Sequence, residues 1–342
     1  MRRQVNRHPK TTVVLHFLKF EAMTRKKLLL CGASGFIGRN LLSCFLQDSD
    51  TELYACVHKT PLPPELAEHP RLHMVSADLT NTEDVSLIVA GMDAVIQAAG
   101  VTSGAKQIVS APHVHVTDNA VMNALLFRAC HDHNIKHLIY FSCIIMYPQS
   151  AALATESDFT HEITDEYFGA GWTKVYAEKM CEFYSRLGNT RFTVIRHSNI
   201  YGPHDKYDFE HSHVFGATVA KVMGAKDGKV VIWGDGSEMR DLLYVDDLVA
   251  LVHTCLDKQA TPYELINAGS GQLVSVADLV HLILSASGKQ LALEFDNTKP
   301  TIAFSVAVDS GRAERVFGWT PKTSLADGIK QSLQWYRNSH QP

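Results

Sequence analysis

Three glycines, Gly32, Gly35 and Gly38, follow directly on the apolar run Leu28 to Leu30, and Ile37, Leu41, Leu42, Phe45 and Leu46 then recur at helical spacing. A strand that runs through such glycines into a helix is suited to hold a dinucleotide. Gly32 lets the chain turn sharply off the strand. Gly35, flanked by Ser34, Phe36 and Ile37, lets backbone N–H groups approach a pyrophosphate, and Gly38 lets the helix pack closely on the sheet. The free N–H groups and positive dipole end of that helix then face the phosphates. Glycine turns between strand and helix are common, so the reading rests on strand, spacing and helix coinciding.

The elements that must position this loop are legible further along. Leu53 to Val57, Leu72 to Val75, Ala94 to Ala98, Leu138 to Phe141 and Phe192 to Ile195 read as strands separated by helical stretches. Such alternation implies a parallel sheet covered on both faces. The expected fold class is α/β: a doubly wound parallel sheet of Rossmann type with a smaller C-terminal substrate-binding region. Ligands on such sheets bind at the carboxyl ends of the strands, where the glycine loop, Ala98-Ala99-Gly100 and Ser142-Cys143 all fall. After about residue 200 the texture turns to short elements, with helices expected at Val276 to Ser285 and Ser324 to Tyr336. The expected divisions are 1–25 as a disordered leader or one lying before the true start, 26–200 as the dinucleotide-binding domain, and 201–342 as mainly a substrate-binding region. Within the last, about 240–270 is expected to return to the sheet.

Composition narrows the function classes. The 342 residues, 46% hydrophobic, suffice for one sizeable core and a subdomain, and the mixed charges, net -4, offer no basic stripe to a nucleic acid. No stretch is long and apolar enough to span a bilayer. The cysteines stand singly, without a CxxC pair, which points to a reducing compartment, the cytoplasm, and to no metal site.

The order of motifs resembles the extended short-chain dehydrogenase/reductase family, the NAD-dependent epimerases and dehydratases, whose members mostly act on nucleotide-linked sugars. The likeness runs from Lys26 to Tyr336. It is carried by the glycine loop, Asp78-Leu79, Ala98-Ala99, Asn119, Lys174, Asn199 in Asn-Ile-Tyr-Gly-Pro, and Arg240-Asp241 leading to Val245-Asp246-Asp247. The run Ser198 to Val214 is most similar to the GDP-L-fucose synthase branch, which epimerises and reduces a 4-keto-6-deoxy sugar with NADPH.

The resemblance implies a role for each position. Asp78, followed by Leu79, accepts a hydrogen bond from the adenine amine; the alternative is a helix N-cap or Asx turn before Thr80 to Val85. Ala98 and Ala99 keep the backbone flat beneath the cofactor. The second strand ends Cys56-Val57-His58-Lys59, with no acid to grip ribose hydroxyls, so NADP is the expected cofactor and NAD the other option. Lys174 holds the nicotinamide ribose, Asn199 and Arg240 contact a nucleotide-linked sugar, and Trp233 is either a stacking surface for a base or core. The implied activity is NAD(P)-dependent hydride transfer at a sugar carbon, most simply C4. Relatives of this kind often dimerise through a four-helix contact, which makes a homodimer an option.

The chain departs from the family pattern where protons move. The usual set is Ser, Tyr and Lys, with Tyr four residues before Lys so that the cation depresses the phenol pKa. Here Ala170 stands four residues before Lys174, Cys143 holds the usual Ser position, and Ile145 replaces the cysteine that the GDP-L-fucose synthases use for epimerisation. His213 matches the histidine paired with that cysteine. Three readings stay open: Tyr167 supplies the proton through an irregular turn around Gly169 and Gly171; Ser142 or Cys143 serves with a histidine; or proton transfer is lost and a non-catalytic NADP(H)-binding module, redox-responsive or assembly-related, remains.

Overall fold

The structure, a computed structural model, describes residues 25–102, 108, 110–149, 153–209, 212–299 and 301–340. The leader expected over residues 1–25 lies, but for Arg25, outside the described residues.

The first half of the chain alternates strand and helix. Its elements are β1 (Lys26–Cys31), α1 (Phe36–Phe45), β2 (Thr51–Val57), α2 (Pro64–Ala67), β3 (Leu72–Ser76), α3 (Thr82–Val89), β4 (Ala94–Gln97), α4 (Thr117–Asp132), β5 (His137–Cys143), α5 (Phe168–Ser185) and β6 (Arg191–His197). The second half adds β7 (Asn199–Tyr201), α6 (Val214–Gly224), β8 (Lys229–Trp233), β9 (Met239–Tyr244), α7 (Val245–Lys258), β10 (Tyr263–Ala268), β11 (Leu273–Ser275), α8 (Val276–Ser287), β12 (Ala292–Asp296), α9 (Gly311–Phe317) and α10 (Leu325–Ser339).

Seven strands make one sheet in the order β10-β6-β5-β4-β1-β2-β3, and every neighbouring pair is parallel. The period of two along β1 sends Leu28 and Leu30 to one face and Leu29 and Cys31 to the other, so each strand feeds two cores. On one face Leu41, Leu42 and Phe45 of α1 pack with Leu248 and Val252 of α7 and Phe317 of α9. On the other, Ile88 of α3, Leu126 and Phe127 of α4 and Cys181 of α5 cover the sheet. This is the doubly wound α/β arrangement expected from the alternation of runs.

The C-terminal lobe has its own core, in which Phe215 and Val219 of α6, Val230 and Ile232 of β8, Leu279 and Ile283 of α8 and Ile329 and Leu333 of α10 meet. Two small sheets, β11-β9-β7 and β12-β8, belong to it. Strand β9 stays with this lobe, α7 crosses back over the large sheet, and β10 pairs with β6 at its edge. Both late helices start where a Ser-x-x-Asp pattern provides a cap: Ser275 accepts the N–H of Asp278, and Ser324 that of Asp327, each worth about 1 kcal/mol.

A buried polar knot joins the sheet to α5. Arg196 and Glu178, both almost fully buried, form a two-pronged ion pair with Nη2–Oε2 at 2.6 Å and Nε–Oε1 at 3.0 Å. Arg196 also donates to the Tyr147 hydroxyl, which in turn donates to Asn267. The carboxyl ends of β5, β6 and β10 are thereby locked together just beneath the edge where ligands bind.

Candidate active site

The glycine loop leaves no room for side chains. Gly32 has φ +76°, and a Cβ there would stand 2.6 Å from the amide nitrogen of Ala99; a Cβ on Gly38 would fall 2.1 Å from the carbonyl oxygen of Gly32. The first contact seats the loop on the end of β4, and the second lets α1 rest on the loop. Gly35 is the residue before α1, with Ser34, Phe36 and Ile37 half-buried around it. Arg39 Nε donates to the Ser34 carbonyl at 3.0 Å and holds the loop from behind. Backbone amides at a helix start, with no Cβ in the way, fit the pyrophosphate of a dinucleotide.

After β3 the Asx-turn alternative describes Asp78. Its Oδ1 accepts the N–H and hydroxyl of Thr80 at 2.9 and 2.7 Å, and these bonds hold its carboxyl below the usual range. The helix cap is Asn81, which accepts from Glu83 and Asp84. The Leu79 side chain is buried in the core beside Val85, so only its backbone can face a cofactor. Ala98 and Ala99 are half-buried at the end of β4, and exposed His58 brings Nε2 to 3.8 Å from Asp78 Oδ2, with exposed Lys59 next to it.

Lys174, on α5, reaches over the end of β5. Its Nζ donates to the Phe141 carbonyl at 2.7 Å and stands 5.0 Å from the Tyr140 ring centroid. Burial lowers its pKa, opposed by Cys143 and Glu178. Cys143 is the last residue of β5; burial raises its thiol, opposed by Lys174 and the Ile145 N–H.

Tyr167 closes a 3-10 turn, Asp165–Tyr167, and is the residue before α5. Its ring meets Phe304 edge-on at 5.3 Å, and burial pushes the phenol up to about 12, against the pull of Arg240. The irregularity expected around Gly169 and Gly171 is not there: α5 is helical from Phe168 onward. Those glycines serve close packing, since a Cβ on either would stand 2.9 Å from Val116 or Ile163. The break that turns Tyr167 inward falls at Tyr167 itself.

Ser142 requires a correction. It is fully buried, and its hydroxyl donates to Glu178 at 2.5 Å as part of the polar knot. Strand alternation puts it on the core side, so of the two residues only Cys143 borders the cleft. Arg240, expected to contact substrate, donates to the Met239, Ile302 and Phe304 carbonyls and so first of all clamps the 301–308 strap across the lobe. Asn199 donates to the Asp241 carbonyl at 2.9 Å and joins β7 to β9. Trp233 lies in β8 with the Lys221 ammonium 5.0 Å from its ring centroid. His213 precedes α6, its ring open to solvent yet surrounded by protein, and that surrounding mass, then Lys206 and Arg240, hold its pKa below the ordinary imidazole value.

His197 is the residue that motif reading missed. It ends β6 directly opposite Cys143 in the strand register, and its Nδ1 bonds the Ser198 carbonyl at 2.7 Å, which leaves Nε2 unprotonated. Burial, then Lys174 and His213, lower its pKa to about 4. The signal was available: neighbouring parallel strands end side by side, so the residue ending β6 adjoins the one ending β5. Lys221 was missed as well, because only the fold brings α6 over Trp233.

Charge interactions link neighbours within this set: Lys174 with Cys143 and His197, Cys143 with Tyr167, Tyr167 with Arg240, Arg240 with His213, and His213 with His197. Among the described residues no group of three or more His, Cys, Asp or Glu side chains could hold a metal ion, and no helix is long and apolar enough to cross a membrane.

A glycine cradle at one half of a parallel sheet edge and a lysine-centred cleft at the other define a dinucleotide-dependent enzyme class. Residues 28–269 match the model of the NAD dependent epimerase/dehydratase family, and the chain belongs to that family. It is 32% identical to a GDP-L-fucose synthase of Sinorhizobium fredii over 267 residues, which cover 75% of this chain and 83% of the relative. It is 27% identical to the GDP-L-colitose synthase of Yersinia pseudotuberculosis, over 91% of this chain and 98% of the relative. Among solved structures, a UDP-glucose 4-epimerase of Thermotoga maritima with UDP-glucose superposes with a TM-score of 0.81 at 22% identity, covering 92% of this chain and all (100%) of the other.

Proposed function

We infer that the chain is an NADP(H)-dependent oxidoreductase or epimerase of nucleotide-linked sugars, working at C4 of the hexose in the direction of reduction. The observation that carries this reading is Lys174, its ammonium fixed on the Phe141 carbonyl near the end of β5, in the same parallel sheet whose β1 leads into the glycine cradle. The bound dinucleotide supplies the hydride. Lys174, fixed by the Phe141 carbonyl, provides the local positive potential and holds the ribose hydroxyls. Tyr167, whose phenol burial pushes up to about 12, keeps its proton at neutral pH and gives it to the carbonyl oxygen as that oxygen gains charge. A family tyrosine beside its lysine can both give and take a proton; Tyr167, seven residues before Lys174 and outside the helix that carries it, is suited to giving. The absence of an acid after β2, with His58 and Lys59 exposed there, supports NADP over NAD.

Mixing the protein with NADPH and a panel of GDP-, UDP- and dTDP-linked 4-keto-6-deoxy sugars tests this through the loss of reduced-cofactor absorbance. Turnover on any member carries the reading. Saturable NADPH binding with flat traces across the panel favours the non-catalytic module instead, which Ala170 in a regular helical turn and the buried Ser142 hydroxyl also suit. A homodimer is the proposed assembly: Tyr176, Phe183 and Leu187 are exposed at 59%, 54% and 54% along one side of α5 and its extension, an apolar stripe that a second copy related by two-fold symmetry would cover. Free cysteines throughout fit the cytoplasm.

A further inference from the structure

We propose that Phe304, carried on the 301–308 strap of the C-terminal lobe, is a positioning residue that aims the Tyr167 hydroxyl into the cleft. This rests on Tyr167 being the proton donor. The strap reads Thr-Ile-Ala-Phe-Ser-Val-Ala-Val, and its period of two sends Ile302, Phe304, Val306 and Val308 into one buried cluster, against which Tyr167 packs. Its course is pinned along its length. Arg240 Nη1 donates to the Phe304 carbonyl at 2.9 Å and Nη2 to the Ile302 carbonyl at 3.0 Å, while the Val308 N–H donates to Asp241 Oδ2 at 3.2 Å. Arg240 and Asp241 both lie on β9, so the strap is an extension of the C-terminal lobe.

Tyr167 needs such a neighbour. It closes a 3-10 turn ahead of α5, so no helical backbone fixes its ring, and among the described residues no hydrogen bond holds its hydroxyl. The hydroxyl end feels Cys143 and Arg240, which places it toward the cleft. What sets the plane of the ring is Phe304, edge-on at 5.3 Å between centroids and 80° between planes. An edge-on pair is directional, because the positive edge of one ring meets the negative face of the other. A proton donor works only within hydrogen-bond reach of the oxygen that receives the proton. Phe304 is therefore where the C-terminal lobe bears on the acid that begins α5.

The test uses NADPH with whichever GDP-, UDP- or dTDP-linked 4-keto-6-deoxy sugar the wild type reduces, and compares Phe304→Leu in the wild-type and Tyr167→Phe backgrounds. Leucine keeps the strap apolar and removes the ring edge; where it fails to fold, Phe304→Met takes its place. The expected result is a fall in kcat of about tenfold in the wild-type background, with KM and NADPH affinity unchanged, and no further fall in Tyr167→Phe. In NMR spectra of the protein labelled at its tyrosine rings, the signal missing from Tyr167→Phe should also move in Phe304→Leu. Equal falls in both backgrounds, an unchanged kcat, or an unmoved Tyr167 signal overturn the proposal and leave the proton assignment standing. Full turnover in Tyr167→Phe, or no turnover of any of these sugars by the wild type, overturns the reading it rests on and this proposal with it.

Discussion

The two halves of the same sheet edge are built on different logic. At the glycine cradle the geometry is set by backbone: Gly32 and Gly38 leave their neighbours at 2.6 and 2.1 Å from where a Cβ would be, so hardly any other sequence could make this turn. At the cleft around Lys174 the geometry is set by side chains that arrive from β5, α5, β6, β9 and the start of α6, each free to be exchanged for another that reaches the same space. A backbone site resists substitution, whereas a side-chain site can lose its family tyrosine and draw a phenol from elsewhere. The contrast predicts that changes in the cleft alter turnover far more than cofactor affinity.

The largest expected effect tests that directly. Tyr167→Phe removes the proposed proton and nothing that touches the cradle, so turnover in the reducing direction should fall by about 10² to 10⁴-fold with NADPH affinity nearly unchanged. Stopped-flow reduction and fluorescence titration on one preparation measure both. Full activity in the variant would move the proton to Cys143, His197 or water and leave Tyr167 as packing against Phe304.

Next in size is the polar knot beneath the cleft. Glu178→Ala leaves the Arg196 guanidinium, whose side chain is 4% exposed, without its carboxylate and strips the Ser142 hydroxyl of its acceptor. Removing one partner of a buried pair costs about 3 to 5 kcal/mol. Urea unfolding should show a loss of that size, and a loss under about 1 kcal/mol would mean that water reaches the knot.

The same contrast explains what could be read from residues alone. The cradle, the parallel order of strands and the late helices rest on local signals, glycine spacing and apolar runs, whereas the Ser-x-x-Asp caps at Ser275 and Ser324 that start those helices were passed over. Lys174 was placed by its motif. The irregular turn at Gly169 and Gly171 was misread because a glycine in a helix looks the same whether it loosens the helix or lets Val116 and Ile163 come close. Ser142 was misassigned because parity along β5, which separates it from Cys143, is decided by which face packs on α5. His197 and Lys221 escaped because their partners lie on other elements, and only the fold brings them together.

A smaller effect joins the two halves. Lys174→Met removes the ammonium at the centre of the cleft, and NADPH affinity should weaken by about tenfold, with a larger loss in turnover. Fluorescence titration decides it. Unchanged affinity in the folded variant would show that Nζ serves only the Phe141 carbonyl.

The smallest expected change is also the most pointed, because it rebuilds the family pattern in this chain. Since α5 is regular from Phe168, positions 170 and 174 share one helix face, and Ala170→Tyr would put a phenol within reach of the Lys174 ammonium. In the wild-type background the gain should be no more than a few-fold, on the proposal that Tyr167 gives the proton. In the Tyr167→Phe background it should restore about tenfold or more of the lost turnover. The two phenols should also differ in pH behaviour. Tyr167, pushed up to about 12 by burial, stays protonated throughout the working range and imposes no alkaline limb on reduction. A phenol at position 170 has its anion stabilised by the adjacent cation, so its folded pKa falls, its proton is lost at lower pH, and reduction should decline on the alkaline side while oxidation of the sugar alcohol improves. A double variant that gains neither turnover nor an alkaline limb would mean that position 170 does not face the reacting carbon, and that the cleft has been reshaped as well as re-equipped.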